Sequence, residues 1–206
     1  MNGYRRRKEQ GRARKKLLYI VCEGKKTEPI YFNNFRTPEC DFNIVITTDG
    51  KKNATGLVSK AVEIIDCGPY DADYGDKIWC VFDVDQNSDE ELDKASKIAL
   101  DKGIFIALSN PCFEIWYLVH FIHCSSRISS YDLLIKLDTH IKGYHKTMDV
   151  FEQVEPKTPT AVKNAKILNK MHEKASVKLY GTDSNPSSQV FKVIETIYQI
   201  EKYNTK

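Results

Sequence analysis

Four short, β-rich runs punctuate the first half of the chain: LLYIVC at 17–22, FNIVITT at 42–48, KIWCVFDVD at 77–85 and IFIALSN at 104–110. The first and third are nearly continuous apolar stretches, as expected of strands covered on both faces. Segments of helical character lie between them. KTEPIYFNNFR predicts a helix with Thr27 as N-cap and Pro29 in its first turn. LVSKAVEIIDC places Leu57, Val58, Ala61, Val62, Ile64 and Ile65 at helical spacing. SDEELDKASKIALDKG has acids at its start and Gly103 just past its end, the order that dipole and capping rules favour. The resulting β-α-β-α-β-α-β alternation predicts an α/β fold, a mostly parallel sheet with helices on both faces.

After Ser109 the pattern becomes helical. PCFEIWYLVHFI predicts a buried helix entered at Pro111, SSYDLLIKLDTHI a short one, TAVKNAKILNKMHEKAS an amphipathic one and QVFKVIETIYQIEKY a terminal one. Residues 142–160 read as an interrupted linker and GTDSNPSS as a loop. The expected organisation is a basic arm at 1–15, an α/β core at 16–125 and a helical extension at 126–206 packed on that core.

Composition narrows the class. At 206 residues, 41% hydrophobic and 29% charged, the chain has the make-up of an ordinary globular domain. No run of 18 apolar residues occurs and no apolar signal segment follows the basic N-terminus, so the expected location is the cytoplasm, away from membranes. The six cysteines form no CxxC pair and read as reduced core residues. Cys112, His120, His123 and Cys124 match no common zinc spacing.

The net charge of +3 hides an asymmetry. Residues 1–16 carry eight Lys or Arg against Glu9, which is +7 and leaves −4 for the rest. Arg5, Arg6, Arg7, Arg12, Arg14 and Lys15 are therefore candidate phosphate contacts; the other reading is a solvated tail.

Candidate chemistry gathers at strand ends. In VFDVDQN, Asp83 and Asp85 stand at i and i+2, side chains aimed the same way at the carboxyl end of a predicted parallel strand. Ligands of open α/β sheets collect at that edge. Two carboxylates there repel unless a hard cation such as Mg²⁺ joins them. A strand-to-helix turn with its N-cap has the same appearance. Glu23 ends another predicted parallel strand, and Gly24, Lys25, Lys26 and a helix start follow it. Gly24 permits close approach of an anion, and the helix start offers N–H groups to a phosphate. Such a set suits phosphodiester chemistry. Ser109 ends the fourth strand at the same edge. Glu114 follows in the next helix as an outward N-terminal acid or a group facing the metal. His120 reads as a structural histidine.

EGKKTE at 23–28, FDVD at 82–85 and SNPCFEIWYLVHF at 109–121, in this order, resemble the RloB-like family, a branch of the Toprim group of metal-dependent nucleic-acid enzymes. GYHK at 143–146 and NPSSQVFKVIE at 185–195 extend the resemblance over most of 17–195. It implies a Toprim-like fold, with Glu23 as general acid/base or metal ligand and Asp83 and Asp85 holding Mg²⁺ or Mn²⁺. Glu114 and Glu28 are secondary candidates, and Lys26 and Lys146 are candidate catalytic contacts to phosphate. It further implies a nuclease acting on RNA or DNA in antiviral defence, controlled by an ABC-type ATPase partner. No Walker motif is present in the chain itself. The competing expectations are a regulatory or nucleic-acid-binding subunit with a vestigial site, and phosphoryl or nucleotidyl transfer to a small nucleotide.

Overall fold

The computed structural model describes residues 14–38, 42–48, 53–84 and 87–202. Four parallel strands form the sheet: β1 (Lys16–Cys22), β2 (Phe42–Thr48), β3 (Lys77–Asp83) and β4 (Phe105–Asn110). A two-residue β5 (Ser187–Ser188) adds antiparallel to the end of β4. The order across the sheet is β2-β1-β3-β4-β5. β1 is buried from Leu18 to Cys22 and β3 from Ile78 to Phe82, which accounts for their unalternating apolar sequences.

The helices are α1 (Thr27–Asn33), α2 (Ala54–Cys67), α3 (Asp89–Asp101), α4 (Glu114–Leu118), α5 (Ser130–Asp138), α6 (Phe151–Val154), α7 (Thr158–Lys174) and α8 (Val190–Lys202). Their starts follow local chemistry. Asn53, Ser88 and Ser129 cap α2, α3 and α5, each side chain accepting a backbone N–H three residues on. Gly103, with φ +67°, turns the chain from α3 into β4.

Each sheet face carries its own core. α2 and α3 bury Leu57, Val58, Leu92 and Ala95 against Tyr19, Val21, Cys80, Phe82 and Leu108. The opposite face packs Leu18, Ile20, Val81 and Ala107 against α1, α4 and the helices of the second half, including Leu133, Leu168, Val193 and Ile197. The C-terminal helices thus form one layer over the same sheet.

Four expectations change. Lys26, not Thr27, is the N-cap of α1, and no side chain caps it. The helix after Pro111 covers only Glu114–Leu118, because at both ends the backbone bonds join residues three apart, Ile115 to Cys112 and His120 to Tyr117, in a tighter turn than the α-helix. The linker contains α6 and a 3-10 turn, Glu155–Lys157. The loop at 181–188 contributes β5.

From β1 the chain crosses to β2 on one side, then returns to place β3 on the other. The topological switch point lies between the carboxyl ends of β1 and β3, where open α/β sheets bind ligands.

Candidate active site

Glu23 is the first residue beyond β1. Its N–H donates to the Val81 carbonyl at 3.0 Å, extending the ladder, and its Oε2 accepts the Asp83 N–H at 3.0 Å. The ends of the two central strands thus tie the two acids together at the switch point. Asp83 closes β3 in register with Ser109 on β4. Ser109 is fully buried, and its Oγ has no hydrogen-bond partner among the described residues. Asn87 braces the end of β3: its Nδ2 donates to the Asp83 carbonyl at 2.9 Å and its Oδ1 accepts the Ala54 N–H at 2.8 Å. Asp85 lies outside the described residues.

Gly24 serves a purpose other than the expected one. Its N–H donates to Glu28 Oε1 at 3.0 Å, so the anion that its backbone meets is the protein's own carboxylate. Glu28, only 5% exposed, packs directly on the glycine. Burial raises the Glu28 pKa, the Glu114 charge adds to this, and backbone N–H groups oppose it.

Glu114, at the start of α4, is 1% exposed. Its Oε1 accepts from Tyr144 Oη at 3.1 Å and lies 3.5 Å from Thr27 Oγ1. Freed from capping α1, the Thr27 hydroxyl also reaches the Lys146 carbonyl at 3.3 Å. Lys146 is exposed at the rim, and neighbouring Glu114 raises its pKa, with smaller contributions from Asp83 and Glu28, so it is a cation at neutral pH. Burial, reinforced by Glu114, pushes the Tyr144 phenol upward and keeps it a proton donor.

These residues share one cleft of about 330 Å³, lined by Glu23, Gly24, Lys25, Lys26, Thr27, Glu28, Asp83, Phe113, Glu114 and Lys146. Oxygen-only donors suit a hard cation such as Mg²⁺. Glu23 and Asp83, half-buried at the edge with the orphaned Ser109 Oγ beside Asp83, fit such a group. Among the described residues, no three His, Cys, Asp or Glu side chains converge into a complete metal site. A second cleft of about 600 Å³ touches Val84, Asn87, Asn110, Pro111, Arg127 and Ser130 next to Asp83.

The basic candidates fall elsewhere. Arg5, Arg6, Arg7 and Arg12 lie outside the described residues. Arg14 pairs with buried Asp76 at 2.9 Å and its guanidinium lies 4.6 Å from the Tyr74 ring centroid. Lys15 is exposed beside it. Both stand at the amino ends of the strands, away from the cleft. His120 is structural: Nδ1 donates to the Trp116 carbonyl at 2.7 Å, and burial lowers its pKa to about 4. Cys112 is buried, and that burial, with the Glu114 and Asp83 charges, holds its thiol protonated.

Sequence reasoning missed Tyr144, Thr27 as a hydroxyl donor, and Asn87. Asn87 directly after the acidic turn was a readable signal. Tyr144 reaches Glu114 only through tertiary folding.

The family model described as RloB-like protein matches residues 18–197. No curated protein and no solved structure matches the chain.

Proposed function

The chain belongs to the RloB-like protein family, and from that premise we propose that it is a divalent-metal-dependent nuclease cutting phosphodiester bonds of RNA or DNA. The observation that carries this reading is the convergence of Glu23 and Asp83 at the switch point, in a cleft shared with Glu28, Glu114, Lys26 and Lys146. Glu23, Asp83 and Asp85 are the residues that would hold Mg²⁺ or Mn²⁺, with Glu114 as a further candidate. A bound cation of this kind polarises a phosphoryl oxygen and acidifies a coordinated water. The protein's own part is electrostatic. The Asp83 N–H fixes Glu23, and the Lys146 ammonium and exposed Lys26 face charge that grows on the phosphate oxygens. The second cleft beside Asp83 supports a polymer running along the sheet edge over a small nucleotide. A Toprim-like relationship, an antiviral defence role and control by an ABC-type ATPase partner complete this proposal.

The purified protein is assayed on RNA and DNA with Mg²⁺ or Mn²⁺, alone and with the product of its neighbouring gene. Cleavage abolished by Asp83→Asn and by Glu23→Gln is the expected result. Cleavage that survives both substitutions refutes the reading.

A regulatory subunit with a vestigial site is the second reading, favoured by the Gly24 N–H being taken by the protein's own Glu28 carboxylate where a substrate anion would approach. Tight Mg²⁺ binding measured by calorimetry, and lost in Asp83→Asn, decides against it.

A further inference from the structure

Glu114 is a nearly inaccessible carboxylate opening a five-residue helix. A buried carboxylate needs donors to fix it. Tyr144 Oη donates to its Oε1 at 3.1 Å, and Thr27 Oγ1, whose one proton is shared with the nearer Lys146 carbonyl, lies 3.5 Å from the same oxygen. Oε2 receives neither. The donors are themselves held. The Tyr144 ring meets Tyr117 edge-on, with centroids 6.0 Å apart, and Tyr117 Oη donates to the Thr27 carbonyl at 3.4 Å. Thr27 Oγ1 also lies 3.3 Å from the Lys146 carbonyl, which joins the loop that carries Tyr144 to the start of α1. The arrangement is a closed frame around one oxygen of one cleft-lining acid.

We infer that Tyr144, assisted by Thr27, is a positioning residue that fixes Glu114 Oε1 so that the carboxylate presents its other oxygen to a divalent cation in the cleft. This rests on the metal-dependent reading above. Partners that orient a metal-binding carboxylate set its affinity although they never touch the ion. Tyr144 is suited to this task because its ring is held edge-on against Tyr117 while its Oη reaches the carboxylate.

Mg²⁺ and Mn²⁺ binding to the full chain is measured by calorimetry for wild type, Tyr144→Phe, Thr27→Val, Glu114→Gln and the Tyr144→Phe/Glu114→Gln double variant. Phe keeps the ring contact with Tyr117, and a thermal melt checks folding. Tyr144→Phe is expected to weaken binding about 10–100-fold, and to have no further effect once Glu114 is Gln. Thr27→Val is expected to follow the same pattern with a smaller loss, and it carries the test if Tyr144→Phe does not fold. Wild-type binding that is unchanged in Tyr144→Phe overturns the positioning role and leaves the nuclease reading standing. An equal loss with and without Glu114 also overturns it, since the tyrosine then acts by another route. A wild-type protein that takes up neither cation overturns both readings together.

Discussion

Replacing Gly24 by Ala tests the account of the cleft floor. An added Cβ would lie 2.6 Å from Glu28 Oε1 and 2.7 Å from its Cδ, and closer still to Oε2. All of these are inside contact distance, so the carboxylate has to turn away. Turning away breaks the 3.0 Å bond from the Gly24 N–H, in a site where Glu28 is 5% exposed. A hydrogen bond to a charged group contributes about 1.5–3 kcal/mol. For a domain of this size each kcal/mol moves Tm by about 2–4 °C, so a fall of roughly 3–12 °C is expected. Thermal and urea denaturation of Gly24→Ala, of Glu28→Ala, which removes both the acceptor and the clashing atoms, and of the pair measure it. If the clash with the carboxylate is the cause, the two costs do not add, because the same bond is lost twice. A Gly24→Ala protein within about 0.5 kcal/mol of wild type refutes the argument, since that is the scatter of a neutral surface change.

Glu28 has a raised folded pKa, so its favourable contribution is present at low pH and is lost as pH climbs above the ordinary value of 4.5; Glu28→Gln should flatten that part of the stability–pH curve. His120 behaves in the opposite sense. Its folded pKa of about 4 against 6.5 means that stability, complete above pH 6.5, falls by up to about 3 kcal/mol on acidification towards pH 4, a slope that His120→Leu should remove. Asp76→Ala strands the N–H groups of Leu17 and Asp71 along with Arg14, and should cost about 3 kcal/mol in urea denaturation. Arg14→Ala, with its partly exposed guanidinium, should cost no more than about 1 kcal/mol. In the nuclease assay Lys146→Met should lower kcat by about 100-fold, the scale for losing one group that stabilises developing charge; unchanged turnover removes Lys146 from the mechanism.

Strands β1 and β3 were legible because burial on both faces writes itself as unbroken apolar sequence; the edge strand Phe42–Thr48 was legible from its β-rich run instead. The acids were legible because a carboxylate directly after such a run sits at a sheet edge wherever the strands are parallel. That reasoning brings Glu23 and Asp83 together, and Glu114, Lys26 and Lys146 line the same cleft. It fails where local pattern and tertiary contact diverge. Gly24 and Thr27 were read through the commonest uses of a glycine and a threonine at a helix start, anion approach and capping. A buried acid at Glu28 and another at Glu114 claim them instead. Two serines cannot announce β5, because a two-residue strand has no alternation to display.

β5 also bears on when the cleft comes into being. The outer side of β4 is closed by residues that arrive some eighty positions later: Leu108 N–H donates to Gln189 Oε1, and Gln189 N–H returns the bond to the Leu108 carbonyl. Tyr144, which holds Glu114, and Lys146, which lines the cleft, are late arrivals as well. A chain emerging from the ribosome with four strands made already carries Glu23, Lys26, Glu28 and Asp83 but lacks their flank, Tyr144 and Lys146. Contacts of such long sequence separation form only after their loop-closure cost is met. The cleft is therefore complete only when these later segments have joined the sheet, and a half-made chain holds several residues of the site without holding the site.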